Sequence, residues 1–202
     1  MRTIAASLFI SLDGVVEEPA QWHFPYFNDE MGAAVSAQMA DTLLLGRKTY
    51  DSFAGAWPER EAEGGEDAGF AKSLGDARKI VVSRQPLEFT WRNSELLQGD
   101  LVEAVTALKN EQGGRIAVSG SVSVVRQLLA AGLLDELHLL VHPIAVRKGE
   151  RLFDEGDSSI PLELIKSETF ETGVLYLVYR PAGASGEASY DDAKAHLSQG
   201  ER

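Results

Sequence analysis

The stretch that decides the fold is residues 115–146, RIAVSGSVSVVRQLLAAGLLDELHLLVHPIAV. A short apolar run typical of a buried strand ends at Gly120, and apolar residues at helical spacing follow it. Gly132 then stands where a helix cap is expected, and a second apolar run, LLDELHLLVH, comes after it. The stretch therefore predicts a strand, a turn, a helix, a cap and a second strand in direct succession.

Similar strand-like and helix-like segments alternate along the rest of the chain. Strands are predicted at residues 3–11, 43–45 and 78–86, helices at 29–39, from 47 onward and at 101–109 with Asp100 as N-cap, and a C-terminal hairpin at Thr172-Gly173. Residues 54–69, AGAWPEREAEGGEDAG, predict a surface excursion rich in Gly and Glu. The pattern is typical of an α/β fold, with a mostly parallel sheet covered by helices on both faces and an antiparallel edge.

Composition narrows the class of protein. The chain has 202 residues, 44% of them hydrophobic, which predicts one domain over residues 1–181 and a polar tail over 182–202. A formal net charge of −12 argues against nucleic acids and anionic membranes as partners, since both are polyanions. The chain has no cysteine, and its four histidines predict no metal site. Asp13-Gly14 interrupts the first apolar run, which indicates the first strand of a cytoplasmic protein.

Three of the predicted strand ends carry residues suited to an anion. They are Gly46-Arg47-Lys48-Thr49, Ser83-Arg84, and Gly120-Ser121-Val122-Ser123. In an open α/β sheet, ligands bind outside the carboxyl ends of the strands, so these residues are expected to share one edge. Each turn alone also fits an ordinary joint between a strand and a helix, and the prediction rests on the three together.

The physical reason for an anion lies in the helix starts. The first N–H groups of a helix lack partners, and the helix dipole places partial positive charge there. Arg47, Lys48 and Thr49 add two cations and a hydroxyl, and Gly120 lets the backbone approach a ligand closely. Two such starts on one sheet suit the diphosphate of a dinucleotide. Ser83-Arg84 suits a further phosphate, as on the ribose of NADP.

In combination these motifs resemble a known group of proteins. SLDG at residues 11–14, LLLGRKTYDSF at 43–53, KIVVSRQP at 79–86, residues 115–146 and RLF at 151–153 occur in this order and at this spacing. They resemble the dihydrofolate reductase-like superfamily. More narrowly, residues 2–180 are similar to stand-alone relatives of the reductase domain of the bacterial riboflavin-pathway deaminase-reductase.

The resemblance implies a dihydrofolate reductase-like three-layer fold with a sheet of about eight strands, a homodimer and NADPH as cofactor. It places the NADPH phosphates against Gly46, Arg47, Lys48, Thr49, Ser83, Arg84, Gly120, Ser121, Val122 and Ser123. It places the nicotinamide beside the first strand, Asp13 and Val16. The implied reaction is hydride transfer from NADPH to a small heterocyclic (pterin- or pyrimidine-like) or carbonyl substrate.

The sequence identifies candidate substrate-binding and catalytic residues less specifically than cofactor-binding ones. The resemblance implies an acid on the helix before the GRKT strand, where Asp29 and Glu30 stand, although both also fit the acidic start of any helix. Trp22 and Phe24 either wall a planar substrate, with Tyr26 and Phe27, or cap the core. His142 is either a substrate contact or part of a turn.

One departure from the family pattern concerns the loop before RLF. Arg147 and Lys148 replace small residues there, which either alters the substrate contacts or adds a positive patch. Two rival functions remain open at this point: a nucleotide- or pterin-binding dimer that has lost catalysis, and a structural protein whose apolar strand mainly builds a dimer.

Overall fold

The computed structural model describes residues 1–153 and 159–183, and these residues form an eight-stranded sheet flanked by helices. The strands are β1 (Ile4–Ser11), β2 (Thr42–Gly46), β3 (Arg78–Val82), β4 (Ser94–Leu96), β5 (Ile116–Ser119), β6 (Glu136–His142), β7 (Leu162–Thr169) and β8 (Leu175–Pro181). Their order is β4-β3-β2-β5-β1-β6-β8-β7. The strands from β4 to β6 in that order are parallel to one another, β8 is antiparallel to β6, and β7 is antiparallel to β8. The predicted fold class is confirmed.

Six α-helices accompany the sheet in the described part of the chain. They are α1 (Asp29–Ser36), α2 (Arg47–Ala54), α3 (Trp57–Glu63), α4 (Ala68–Asp76), α5 (Leu101–Asn110) and α6 (Val122–Ala130), with 3-10 turns at Pro19–Gln21 and Phe24–Tyr26. No helix among residues 1–153 and 159–183 is long and apolar enough to span a membrane. Residues 184–202 of the predicted tail lie outside the described residues.

The alternation of side chains along the strands assigns each helix to a face. Ile4 and Leu8 of β1 join a core that includes Val105 of α5 and Leu128 of α6. On the other face, β2 packs against α2 and α4, and β6 packs against Met31 of α1. The sheet is therefore the middle of three layers, as the sequence predicts.

The predicted helix boundaries hold where capping residues mark them. The Asp100 carboxylate accepts hydrogen bonds from the N–H groups of Val102 (2.9 Å) and Glu103 (3.2 Å) and so begins α5. Gly132 follows α6 in the left-handed region, with φ 65°. This conformation costs a glycine little, and it lets the chain turn into β6.

Several boundaries and elements differ from the prediction: β3 ends at Val82, before the predicted residue 86, and α4 was not predicted. Helix α1 ends at Ser36 instead of residue 39, because β2 begins at Thr42 and residues 37–41 make the connection. The Gly- and Glu-rich excursion contains α3, whose Trp57 packs edge-on against Phe70 with the two ring centroids 5.2 Å apart. Strand β4 was not predicted, since it has three residues and no buried face.

A buried lysine fastens α4 to the sheet. Lys79 of β3 has no exposed surface, and its ammonium donates to the carbonyls of Leu74 (2.8 Å), Gly75 (2.9 Å) and Ala77 (2.6 Å). It also lies 4.3 Å from the centre of the Trp91 ring. Burial lowers the pKa of Lys79 to about 8. Its donors satisfy carbonyls that the end of α4 would otherwise leave without partners.

Candidate functional site

The three anion-suited strand ends lie side by side in the structure. Strands β3, β2 and β5 are consecutive neighbours in the sheet and run parallel, so their carboxyl ends share one edge. Helix α2 starts directly after β2, and two residues, Gly120 and Ser121, separate β5 from α6. The structure thus brings together residues that are up to 77 positions apart, from Gly46 to Ser123.

The serine at the start of α6 links the two helix starts. Ser121 Oγ accepts a hydrogen bond from the N–H of Gly46 (2.7 Å) and donates one to Thr49 Oγ1 (2.9 Å). A Cβ at Gly46 would stand 3.3 Å from the Cβ of Ser121, so glycine permits this close approach. Because the Ser121 hydroxyl is engaged in this link, only the backbone of Ser121 remains available to an anion.

Both helix starts leave backbone donors open. No side chain caps α2 or α6, and the same holds for α3 and α4, whereas Asn28 caps α1 and Asp100 caps α5. Gly120 and Ser121 each have φ 60°, which is uncommon for serine and tends to occur where a site constrains the backbone. A Cβ at Gly120 would point toward Thr49 Oγ1 at 3.4 Å, into the space between the two helix starts.

Cationic side chains surround this edge. Arg47 donates to Gln85 Oε1 (3.0 Å) and to Asp51 (3.4 Å), which joins the start of α2 to the turn after β3. The Ser83 hydroxyl accepts from the N–H of Gln85 (3.1 Å) and shapes that turn. Lys48 and Arg84 are exposed and form no ion pair within residues 1–153 and 159–183. Their positive charge remains available to a phosphate.

Asp13 ties the loop after β1 to the loop after β6. Its carboxylate accepts from the Ser11 hydroxyl (2.7 Å) and from the N–H groups of Val146 and Arg147 (2.9 Å each). The Ser11 hydrogen bond, with those from Arg147 and Val146, lowers the pKa of Asp13. Val16 is buried, and its N–H donates to Glu150 (2.9 Å). The substrate role of Asp13 and Val16 stays a prediction, and the geometry gives both a structural role.

Aromatic and imidazole rings gather at the ends of β1 and β6. We call this group the aromatic–histidine cluster; it consists of Phe9, Trp22, His23, Phe24, Tyr26, Phe27 and His142. Trp22 and His142 are buried, whereas Phe24 is 60% exposed and Phe27 50% exposed. Of the residues predicted to contact substrate, Trp22, Phe24 and His142 therefore lie together. Phe24 and Phe27 present open ring surface to a ligand.

His23 is the member of the cluster that sequence reasoning missed. Its ring stacks on Phe9 with centroids 4.4 Å apart and planes 13° apart, and it lies 6.0 Å from the His142 ring. His142 Nδ1 donates to the Leu140 carbonyl (2.8 Å), which leaves Nε2 buried without a partner. His23 Nδ1 is likewise buried and unpartnered. The succession WHFPYF at residues 22–27 was the available signal.

Burial sets the charge state of both histidines. Desolvation, with the nearby His142, lowers the pKa of His23 to about 4. Burial also lowers the pKa of His142. Both rings are therefore neutral near pH 7, and each carries one N–H and one bare nitrogen.

His138 and His142 stand four residues apart, a spacing that on a helix would present both to one metal ion. On strand β6 the same spacing separates them by about 13 Å. Within the described residues no group of three His, Asp or Glu side chains is arranged to hold a metal.

The two predicted acids lie at the first turn of α1. The Glu30 carboxylate accepts from Asn28 Nδ2 (2.8 Å) and from the N–H of Glu171 (2.7 Å). Asp29 is exposed, and no residue of the described part of the chain hydrogen-bonds to its carboxylate. The geometry gives Glu30 a structural role, since it fastens α1 to the β7–β8 turn, and the catalytic role of both acids stays a prediction.

Comparison with protein families gives a match over most of the chain. A model of the RibD C-terminal domain family matches residues 2–176. The uncharacterised protein YyaP of Bacillus subtilis is 28% identical over 179 residues, which cover 88% of this chain and 94% of YyaP.

Solved structures share the fold at low identity. A putative riboflavin biosynthesis protein from Shewanella sp. PV-4 has a TM-score of 0.67 at 22% identity and covers 90% of this chain and 99% of its own. A pyrimidine reductase-like protein from Corynebacterium diphtheriae has a TM-score of 0.62 at 16% identity and covers 91% of this chain and 93% of its own. Dihydrofolate reductase from Enterococcus faecalis, complexed with NADP(H) and RAB-propyl, has a TM-score of 0.58 at 17% identity and covers 90% of this chain and 97% of its own. The fold is therefore that of dihydrofolate reductase.

Proposed function

The chain belongs to the RibD C-terminal domain family, and on that premise we propose that it is an NADPH-dependent reductase of a small heterocyclic or carbonyl substrate. The observation that carries the proposal is the pair of uncapped helix starts, α2 and α6, joined by Ser121 at one edge of the sheet. The family and the reductase-type fold support an oxidoreductase.

The residues at this edge fit the phosphates of NADPH. The open N–H groups of α2 and α6 would bind the diphosphate, and the missing side chain at Gly120 leaves room between them. Lys48 and Arg84 would pair with phosphate oxygens, Arg84 with the phosphate on the adenosine ribose. When bound, NADPH supplies the hydride.

The protein's part in the reaction is to orient the substrate beside β1. Strand β1 lies between β5, which leads into Gly120, and β6, which ends at His142. Neighbouring strands are about 4.8 Å apart, so a ring against the aromatic–histidine cluster lies next to a coenzyme held at α6. Phe24 and Phe27 offer ring faces that exclude water from one side of such a substrate.

Arg84→Ala is expected to weaken NADPH binding roughly 10-fold and to leave NADH binding within about twofold, because only NADPH has the extra phosphate. Calorimetric titration of the purified protein with each coenzyme measures both constants. The matched control is Arg180→Ala, which removes an exposed arginine that pairs with Glu163 on the β7–β8 hairpin. Equal losses for NADPH and NADH in Arg84→Ala would reject the assignment of this side chain.

A second candidate function is a dimer that binds a nucleotide or pterin without catalysis. The engagement of the Glu30 carboxylate by Asn28 and by the N–H of Glu171 favours it, since these bonds give this acid a structural role. NADPH oxidation followed with a panel of pterins, pyrimidines and aldehydes separates the two candidates. Ligand binding with no oxidation across the panel would select the second.

We also propose that the chain forms a homodimer in the cytoplasm, through the β7 edge of the sheet. Leu164 and Ile165 of β7 are 49% and 45% exposed, and β7 is an edge strand with open backbone groups.

Light scattering is expected to give a mass of about twice the 21.9 kDa of one chain. Ile165→Lys is expected to shift it toward the monomer, because a buried ammonium at the interface is costly. Val102→Lys, at a 41% exposed position on α5, is the control. A monomer in the unmodified protein would reject the dimer.

A further inference from the structure

The ring of His23 has unusual surroundings for a histidine with 6% of its surface exposed. It packs between Phe9, with ring centroids 4.4 Å apart, and Phe24, with centroids 4.2 Å apart. Within residues 1–153 and 159–183, neither ring nitrogen has a hydrogen-bond partner. An imidazole always carries a donor or an acceptor at each nitrogen, and of these two Nδ1 is enclosed without a partner, whereas Nε2 is not enclosed.

Such groups are rare because burying a polar atom without a partner is unfavourable. The same cluster holds a second enclosed nitrogen without a partner, Nε2 of His142, whose residue has no exposed surface. Two imidazoles placed side by side at this cost, with His23 Nε2 left open, point to a role in binding a ligand. Packing alone would be served as well by phenylalanine at either position.

His23 lies near the edge of the sheet where α2 and α6 start, which we call the coenzyme edge. Its stacking partner Phe9 lies on β1, which pairs with β5, the strand that leads into Gly120 and the start of α6. Beside His23, Phe24 is 60% exposed and offers an open ring face. Since His23 Nδ1 is enclosed and Nε2 is not, Nε2 is the nitrogen that a ligand beside Phe24 would meet.

We propose that His23 is a positioning residue for the substrate, an inference that rests on the proposed reductase function. In this role His23 Nε2 hydrogen-bonds a polar edge atom of a ring that packs beside Phe24, on the side that His23 occupies. The resulting bond fixes the rotation of that ring, and therefore decides which of its atoms faces the coenzyme. The His142 ring lies edge-on to that of His23, with ring centroids 6.0 Å apart.

A role as the proton donor is less compatible with the surroundings. The pKa of His23 is lowered to about 4 by desolvation, so the ring holds no extra proton near pH 7. A neutral imidazole is a weak acid, but it is a good hydrogen-bond donor or acceptor. The arrangement therefore serves recognition and orientation.

The test uses pterin and uracil as probes, with NADPH titrated separately. His23→Phe keeps the ring stacking and removes both nitrogens, and it is expected to weaken pterin or uracil binding roughly 10-fold or more. His23→Gln places an amide near the position of Nε2 and is expected to recover part of the loss. NADPH affinity should stay within about twofold in both variants, since residue 23 packs against β1, away from the helix starts of the coenzyme edge.

A measurement on the unmodified protein covers the case in which a variant does not fold. The side-chain ¹⁵N resonances of His23 should shift when the heterocycle is added, while those of His138, bonded to Tyr176 and Glu136, should not. Where a probe is reduced, its KM should rise in His23→Phe while the KM for NADPH is unchanged.

Three outcomes would overturn the inference: equal probe affinity in His23→Phe, no shift of the His23 resonances, or no binding of either probe by the unmodified protein at millimolar concentration. Absence of NADPH binding with intact probe binding would instead reject the reductase function and leave His23 as the anchor of a binding protein.

Discussion

Gly120→Val is expected to weaken NADPH binding roughly 100-fold, the largest functional effect of any single change at the coenzyme edge. The Cβ of residue 120 points toward Thr49 Oγ1 at 3.4 Å, between the two helix starts, and the valine methyl groups would occupy the space required by the diphosphate. Calorimetric titration with NADPH measures the loss.

The control for this substitution lies at the other end of the same helix. Gly132 follows α6 with φ 65°, close to the 60° of Gly120, and no atom lies within 4 Å of the Cβ that would be added there. Gly132→Val therefore carries similar backbone strain, about 1–2 kcal/mol, far from the edge. Both variants should melt at similarly reduced temperatures, and only Gly120→Val should lose the coenzyme. Equal NADPH affinity in the two would contradict a diphosphate site at α6.

Lys79→Met is expected to lower the free energy of unfolding by about 3 kcal/mol at pH 7. Methionine fills similar volume, but the carbonyls of Leu74, Gly75 and Ala77 lose their donor inside the protein. Relief from burying the ammonium offsets only part of that loss. For a chain of this size the melting temperature should fall by roughly 6–12 °C, as calorimetry would measure.

The difference in the free energy of unfolding between the unmodified protein and Lys79→Met depends on pH, and the sign of this dependence follows from the pKa of Lys79. Because the folded pKa of Lys79 is about 8, below the ordinary 10.5, the folded state gives up the proton first. The contribution of Lys79 to stability is complete above pH 10.5 and is reduced as the pH falls to about 8, by up to about 3 kcal/mol. The gap between the unmodified protein and Lys79→Met should therefore widen from pH 7 to pH 10.

Lys72→Met serves as the control, because Lys72 is an exposed lysine on α4, the helix that Lys79 fastens to the sheet. Lys72 is 65% exposed and pairs with Asp76, so its replacement should change stability by less than about 1 kcal/mol, with no widening at high pH. A Lys79→Met protein that melts like Lys72→Met would show that the three carbonyls find other partners.

The architecture was predictable where single residues mark the chain. Gly120 and Gly132 bracket α6, Asp100 begins α5, and the buried run of β2 stops at Gly46, so local chemistry alone locates these elements. Because parallel strands end at a common edge, the meeting of Gly46 with Ser121 follows from the element order.

The unpredicted features depend on contacts between distant segments. Helix α3 is stabilised by Trp57 against Phe70, and neither residue indicates the other in the sequence. Lys79, next to Arg78 at a strand start, resembles any exposed cation until the end of α4 encloses it. His23 gains its significance only from Phe9, fourteen residues earlier, and from His142 on another strand. No local pattern carries such information.

The missing caps on α2 and α6 also bear on how long the folded chain survives. Amide groups that bind an anion do so only in the native state, so an anion at 100 times its dissociation constant adds about 2.7 kcal/mol to the stability of that state. Without it, the first turns of both helices fray more readily and expose the chain to proteases. The supply of coenzyme in the cell would then govern the lifetime of this protein as well as its rate of turnover.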